Sequence, residues 1–236
     1  MKNITLLALD TSTEACSVAL WHKGEKTHLD ELTQRTHTKR ILPMVDELLA
    51  NSGINLKQID ALAFGRGPGS FTGVRVGAGI AQGLAFGADL PVIAVSNLTA
   101  MAQAAFELHQ AENVAAAIDA RMNEVYFSQV KREKVCSELG EFFQWNPIIE
   151  EQVCQPEKVL KQLSDLTTYR VGTGWAAYPQ FKDSGLEGSD IILPSAQYML
   201  ELALTDYAQN KIISALEIEP VYLRNEVTWK KLPGRE

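Results

Sequence analysis

The stretch from Gly65 to Gly79 reads Gly-Arg-Gly-Pro-Gly-Ser-Phe-Thr-Gly-Val-Arg-Val-Gly-Ala-Gly, and it limits the folds open to this chain more than any other. An apolar run, Ile59 to Phe64, leads into it, and an alanine- and glycine-rich pattern of helical character leads out to about Gly87. That succession predicts a strand, a tight turn and a helix. Gly67 and Gly69 bracket Pro68, so the turn can take positive φ while the proline fixes its entry. Ser70 or Thr72 is placed to cap the helix, and free backbone N–H groups at such a terminus suit an anion or a partner's carboxylate.

The phosphate and nucleophile motifs can be tested letter by letter. A P-loop needs Gly-Lys-Ser/Thr, and no lysine occurs between Lys57 and Lys131, so no ammonium reaches a phosphate from this loop. The dinucleotide fingerprint needs a third glycine where Ser70 or Thr72 stands. A nucleophile elbow would need glycine at Pro68 and Thr72. A tight strand-to-helix turn without recognised chemistry remains.

With 236 residues, 46% of them hydrophobic, the chain can bury a proper core as one large domain or two lobes. Met1-Lys2-Asn3-Ile4 runs directly into a strand pattern, and no apolar run reaches membrane-spanning length, so a cytoplasmic protein without membrane contact is expected. Cys16, Cys136 and Cys154 show no C-x-x-C spacing and read as reduced structural thiols. The net charge of −7 argues against a protein that grips nucleic acid alone. Residues 1–103 carry nine Lys/Arg and nine Asp/Glu, so the whole net charge falls on 104–236, and two lobes divided there are expected.

In chain order, Ile4 to Leu9 and Cys16 to Trp21 are apolar runs joined by Asp10-Thr11-Ser12-Thr13, the pattern of a β-hairpin. Lys23-Gly24 turns the chain into a third strand, about Lys26 to Leu32. Ile41, Leu42, Val45, Leu48 and Leu49 recur at helical spacing between Thr38 and Asn51, with Pro43 in the early turns. The glycine turn and its helix follow, then a strand at Pro91 to Ser96 and a helix from Leu98 to about Leu108. The order β-β-β-α-β-α-β-α is that of a ribonuclease H-like lobe. From Val114, a strand, Asp119 at a turn and a second strand to Gln129 echo the first hairpin, the trace of a duplicated lobe.

Beyond it, Leu139 to Ile149 reads as strand and loop, and Pro156 opens a helix to about Leu163. Thr168 to Val171 and Ile191 to Leu193 read as short strands, and Pro194 opens a helix to about Asn210. Trp175, Tyr178 and Phe181 form a small aromatic core. The tail from Glu219 to Arg224 looks extended and continues to Lys230-Lys231, partly disordered.

Asp10, at the end of the first strand, is placed to orient a metal-bound phosphate or water, and Thr11 and Ser12 to donate to phosphate oxygens; the same residues equally make a turn that caps the hairpin. With Gly67 and Gly69 they form the candidate nucleotide or phosphate contacts, vestigial if the turn is purely structural. His22, His28, His37 and His109 show no metal-ligand spacing. His37, Lys39 and Arg40 form a small basic cluster at a helix entry.

Four stretches now carry a resemblance to the bacterial TsaB (YeaZ) family: Leu7 to Leu20, Gly65 to Gly77, Asp119 to Tyr126, and Glu219 to Arg224. The resemblance implies an α/β actin-like ATPase (ASKHA) fold of two ribonuclease H-like lobes, the second reduced. It also implies a role in making threonylcarbamoyladenosine (t6A) beside the anticodon of transfer RNA. In that family TsaB is not the catalyst. It supports its paralogue TsaD, with the ATPase TsaE joining, and meets tRNA only through the complex. TsaD carries an H-x-x-x-H metal motif after the strand that follows its glycine turn. Here Asn97 and Met101 stand where those histidines fall, so a metal bound by imidazole loses both ligands. Gly172-Thr173-Gly174 reads as a vestige of an adenosine loop. No catalytic residue, resident metal or cofactor is expected for the isolated chain, and ATP or ADP belongs to the complex.

Gly73 and Gly77 are four residues apart, as are Gly79, Gly83 and Gly87. Each glycine costs a helix interior about 1 kcal/mol relative to alanine, which close approach of another backbone would offset, whether that of this chain's own sheet or its Thr38 to Asn51 helix on one face or that of a partner on the other. The expected interface is Gly73, Val76, Gly77, Ile80, Gly83 and Leu84, with Ile41 and Val45 of the preceding helix, facing TsaD or a second copy of the chain. Bulk at Gly79 or Ala81 is expected to weaken association more than folding. The competing readings are an ATP-dependent small-metabolite kinase or ATPase of the same fold, with Asp10 orienting its metal, and a peptidase, for which no nucleophile or metal motif is present.

Overall fold

The computed structural model describes residues 4–32, 36–137, 140–163 and 167–224. The continuation of the tail to Lys230-Lys231 lies outside the described residues. Strands β1 (Leu6–Asp10), β2 (Ala15–His22) and β3 (Glu25–Leu32) form an antiparallel meander, and α1 (His37–Asn51) leads on to β4 (Ala61–Gly67). Helix α2 (Phe71–Ala88), β5 (Val92–Ser96) and α3 (Asn97–His109) complete the first unit. Its five-stranded sheet has the order β3-β2-β1-β4-β5, with β4 parallel to both β1 and β5.

The second sheet repeats this plan with one strand fewer. Strands β6 (Asn113–Arg121), β7 (Glu124–Ser137) and β8 (Gly140–Cys154) form a meander, and β9 (Tyr169–Val171) runs parallel to β6, giving β8-β7-β6-β9. That is β3-β2-β1-β4 again without its β5, so the echo between Asp10 and Asp119 reflects matching positions in two lobes. Helices α4 (Pro156–Gln162), α5 (Gly174–Ala177), α6 (Pro179–Asp183) and α7 (Ala196–Ala208) complete the chain.

Burial explains which helix covers which face. One face of the first sheet, through Leu7, Leu9, Val18, Leu20, Leu62 and Phe64, packs on Ile41, Met44, Val45 and Leu48 of α1 and on Ala78, Ala81 and Ala85 of α2. The other face, through Leu6, Ala8, Ala63, Ile93 and Val95, packs on Ala100 of α3 and on Met199, Leu200 and Ala203 of α7. Helix α3 then packs Leu98, Met101 and Ala105 on Val114, Ala116 and Ile118 of the second sheet. It lies between two sheets, where Ala100 meets the first and Leu98, Met101 and Ala105 meet the second. The expected aromatic core is present: Trp175 and Phe181 join Phe127, their ring centroids 4.8 Å apart from each other. Residues 1–103 contain the whole first sheet, while α7, from the later half, returns to cover that sheet's second face.

Three expectations need correction. Ile191 to Leu193 is not a strand: Ile191 is buried and its carbonyl accepts from Gly172 N–H at 2.8 Å, but no ladder forms. Pro194 does not open α7. The cap is Ser195, whose hydroxyl accepts from Gln197 N–H, and the helix begins one residue later. The β7–β8 hairpin also runs well beyond Gln129, through the charged segment Lys131-Arg132-Glu133-Lys134. Its polarity hid a strand that stands off the core as a two-stranded ribbon. The Arg132 guanidinium lies between the rings of Phe106 and Phe143, 3.5 and 3.7 Å from their centroids, so cation–π stacking replaces aliphatic packing there.

Candidate functional site

The β1–β2 turn and the glycine turn after β4 meet at the carboxyl ends of the parallel strands, where open α/β sheets place ligands. The sequence-predicted contacts Asp10, Thr11, Ser12, Gly67 and Gly69 do come together. They are, however, occupied by one another. Asn97 Nδ2 donates to Asp10 Oδ1 at 2.8 Å and to Ser12 Oγ at 2.6 Å, while Asn97 Oδ1 accepts from Gly67 N–H at 2.7 Å. Ser12 Oγ donates to Asp10 Oδ2 at 3.0 Å, and Ser70 N–H donates to the Ser12 carbonyl at 2.7 Å. Thr11 Oγ1 donates to the Gly73 carbonyl at 2.7 Å, and Ser70 Oγ caps α2 by accepting from Gly73 N–H at 3.1 Å. Asp10, Thr11, Ser12 and Asn97 are each no more than 1% exposed.

Local sequence makes this closure sterically possible. A Cβ on Gly65 would lie 2.0 Å from Asp10 Oδ1, and one on Gly73 would lie 2.2 Å from the Thr11 carbonyl oxygen. Of the two glycines expected as phosphate contacts, Gly69 likewise admits the β1–β2 turn, a Cβ there lying 2.5 Å from the Ser12 carbonyl oxygen, while Gly67 faces the Val221 carbonyl of the tail. Asn97, noted in the sequence as a lost metal ligand, is the centre of the network, and Met101 is fully buried in the core between α3 and the second sheet. Among the described residues, no group of three His, Cys, Asp or Glu side chains is arranged to hold a metal ion. Gly172-Thr173-Gly174 is closed in the same manner: a Cβ on Gly172 would lie 2.2 Å from the Ala117 carbonyl oxygen, and Thr173 Oγ1 accepts from Asp119 N–H at 3.1 Å.

Burial raises the Asp10 carboxyl to about 6, partly opposed by hydrogen bonds from Asn97, Ser12 and the turn's backbone. A folded-state value above the unfolded one means that the native protein holds this proton over a range where the unfolded chain has lost it. Stability therefore falls as pH rises from about 4 to about 6, by on the order of 3 kcal/mol from this group. Asp10→Asn removes that dependence. The difference in Tm between the Asn variant and the parent should grow by roughly 5–10 °C in the variant's favour between pH 4 and pH 7. Thermal melts across that range test it, and a difference that does not change with pH would contradict the assignment.

Outside this network the lobes are tied by residues the sequence reading did not single out. Glu151 of β8 accepts from Arg66 Nη2 at 3.0 Å and from the Ser96 hydroxyl. Nothing distinguishes Glu151 from its neighbour Glu150 in sequence; only the fold brings it to the glycine turn. The extended tail lies over the same place, with Val221 N–H donating to the Arg66 carbonyl at 2.8 Å and Arg224 paired with Glu124 of the second lobe.

The expected interface on α2 divides in two. Gly73, Gly77, Ile41 and Val45 have no surface for a partner: Gly73 and Gly77 face Thr11, and Ile41 and Val45 lie in the core against the first sheet. Ala81 is fully buried too, so bulk there would damage the fold before any association. Val76, Ile80 and Leu84 are half-buried, and Gly83 is exposed beside Gly79. A Cβ on Gly79, Gly83 or Gly87 would meet nothing within 4 Å. Phe71 and Phe86, 68% and 71% exposed, stand at the two ends of this stripe. His37 lines an outer cavity with Ser70, Thr72 and Val76, and Arg40 pairs with Glu31 at 2.7 Å.

Residues 28–216 match the family model described as "TsaD: tRNA N6-adenosine threonylcarbamoyltransferase". The chain is 78% identical over 236 residues, all of both chains, to the Haemophilus influenzae tRNA threonylcarbamoyladenosine biosynthesis protein TsaB. It is 50% identical to the Escherichia coli protein of the same description, over 98% of this chain and 99% of that one. A solved Pseudomonas aeruginosa structure described as YeaZ superposes with a TM-score of 0.78 at 41% identity, covering 93% of this chain and 100% of that chain. With full-length identity at this level, the duplicated lobe plan and the matching family model, the chain belongs to the TsaB (YeaZ) family.

Proposed function

We propose that this chain acts in tRNA threonylcarbamoyladenosine biosynthesis as a non-catalytic assembly subunit, working in the cytoplasm. The observation that carries the role is the full-length match to relatives described as t6A biosynthesis proteins TsaB. Non-catalytic status is supported by the closed turn network, in which Asp10 is buried against Asn97 and the predicted contacts Thr11, Ser12 and Gly67 are hydrogen-bonded within the chain. A kinase or ATPase reading needs Asp10 to face a metal or phosphate, and its burial argues against that. The peptidase reading finds no support in the network either, since the hydroxyls of Ser12 and Thr11 are both committed as donors.

The partners in this reading are TsaD and a second copy of the chain, with TsaE and tRNA engaged through the complex and ATP or ADP bound only there. The surface offered is the outer stripe of α2: Val76, Gly79, Ile80, Gly83 and Leu84, between Phe71 and Phe86. No helix among the described residues is long and apolar enough to cross a membrane.

Gly79→Leu and Gly83→Leu should each weaken association with TsaD, or of the chain with itself, at least tenfold, about 1.4 kcal/mol. Their Tm should not fall and should rise by a few degrees, because neither side chain meets the rest of the chain and each replaces a helix glycine. Sedimentation and calorimetric titration of the purified proteins measure both quantities. Unchanged association would remove this stripe from the interface, and t6A synthesis or rapid ATP hydrolysis by the isolated chain would overturn the non-catalytic reading.

A further inference from the structure

Residues 221–224 lie across both lobes. Val221 N–H donates to the Arg66 carbonyl at 2.8 Å beside the glycine turn, and the Tyr222 ring centroid is 4.7 Å from the Arg75 guanidinium. Arg75 also stacks on Phe71, 3.3 Å from its centroid, and donates to the Phe71 carbonyl at 2.8 Å. Arg224 then reaches the second lobe, where its guanidinium pairs with Glu124, donates to the Arg121 carbonyl at 3.5 Å and lies 3.6 Å from Met122 Sδ. The hairpin it meets is strained. Arg121 pairs with Glu124, so Met122-Asn123 is a two-residue loop, and Arg121, Met122 and Asn123 have φ of 62°, 57° and 59°. Asparagine suits that region, and such loops take Asn, Asp or Gly at their centre. Methionine does not, and Met122 is 60% exposed, so burial does not offset its strain. Residues in sparsely populated conformations persist where surrounding contacts hold them. Asp119 holds Arg121 from within the lobe, accepting from its N–H at 2.8 Å, and Arg224 holds Met122 from the tail.

We propose that residues 221–224 form a two-state latch between the lobes, seated on Arg66, Arg75 and Glu124 together or released from all three, and that its seating sets the conformation of the Met122 hairpin. Each anchor by itself is weak: one backbone hydrogen bond, one ring stack on the exposed Arg75 and one ion pair. Three such contacts within four residues act as a unit, because seating one orders the short chain for the next. The chain before the latch is fixed, since Ile218 is buried with Ala78, Ala81 and Ala85 of α2. Release therefore frees Val221 onward and takes away the contact that holds Met122. When seated, the latch joins the exposed side chains of Phe71, Tyr222 and Met122 into one surface drawn from both lobes. Phe71 and Tyr222 flank Arg75, so covering them keeps water from the stack and tightens the latch. A partner on the outer stripe of α2 does this, a consequence that rests on the stripe reading above.

Substituting one anchor and reading another tests the coupling. In the full chain, Glu124→Ala should speed amide hydrogen exchange at Val221, which bonds to the first lobe, at least about fivefold. Arg75→Gln, on the first lobe, should move the Met122 ε-methyl resonance, assigned by its loss in Met122→Leu. Arg75 is exposed and Glu124 half-buried, so both variants should fold, and Tyr222→Ala should produce both effects if either variant is lost. Val221 exchange at the parent rate in Glu124→Ala, or an unmoved Met122 methyl in Arg75→Gln, would overturn the latch. Added TsaD should shift the Met122 methyl in the parent but not in Glu124→Ala. A complex seen by sedimentation without that difference overturns the coupling, whereas failure of TsaD to bind counts against the α2 stripe alone, because the two variant measurements need no partner.

Discussion

Gly73→Ala should lower the Tm by roughly 10 °C, whereas Gly79→Ala, less than two turns along the same helix, should raise it by about 2–4 °C. The added Cβ at position 73 would lie 2.2 Å from the Thr11 carbonyl oxygen and 2.5 Å from Ser70 Oγ. The first is backbone and cannot swing away, so the start of α2 must lift off the β1–β2 turn. That movement breaks the Thr11-to-Gly73 and Ser70-to-Ser12 hydrogen bonds. Overpacking and two lost bonds together amount to about 4 kcal/mol. At Gly79 the new methyl meets nothing within 4 Å, and only the helix propensity of alanine is felt. Thermal melts of the two variants decide the matter, and shifts of the same sign would show that α2 does not seat on the turn as described.

Asn97→Ala should destabilise the protein by about 3–5 kcal/mol, because it orphans Gly67 N–H and removes the donor that faces the buried Asp10. Asn97→Asp separates the two halves of this effect. It keeps an acceptor for Gly67 N–H but sets a second carboxyl against Asp10, so one of the pair must stay protonated. The native pair then holds a proton that the unfolded chain releases, and the stability of the Asp variant falls as pH rises through neutrality. Denaturant unfolding at pH 5 and pH 8 should show the Asp variant losing more stability between the two than the Ala variant. If the two variants showed the same change, Asn97 would be filling space rather than holding Asp10 and Gly67 together.

The legibility of this molecule in its sequence follows the range of the interactions. Strand β1, the hairpin to β2 and the glycine turn are marked by local patterns, because alternation, turn residues and a capping serine act within a few positions. The charged half of β7 was invisible for the same reason. Its strand character depends on Arg132 being covered by Phe106 and Phe143, which are 26 and 11 residues away in the chain. Small residues on α2 pointed to close approach but not to what approaches. Gly73 and Gly77 face Thr11 of the same chain, while Gly79 and Gly83 face outward.

By itself the sequence determined the α/β element order of the first lobe and the echo of its hairpin around Asp119, and it grouped Asp10, Thr11 and Ser12 with Gly67 and Gly69 as candidate contacts. The resemblance stated above also set Asn97 and Met101 at the positions where it implies metal-binding histidines in TsaD. Only the tertiary structure decided that Asn97 closes the turns on each other. A hydrogen bond spanning 87 residues, as between Asn97 and Asp10, has no local signature. Its strength comes from burial, which excludes water and leaves each polar group dependent on the others.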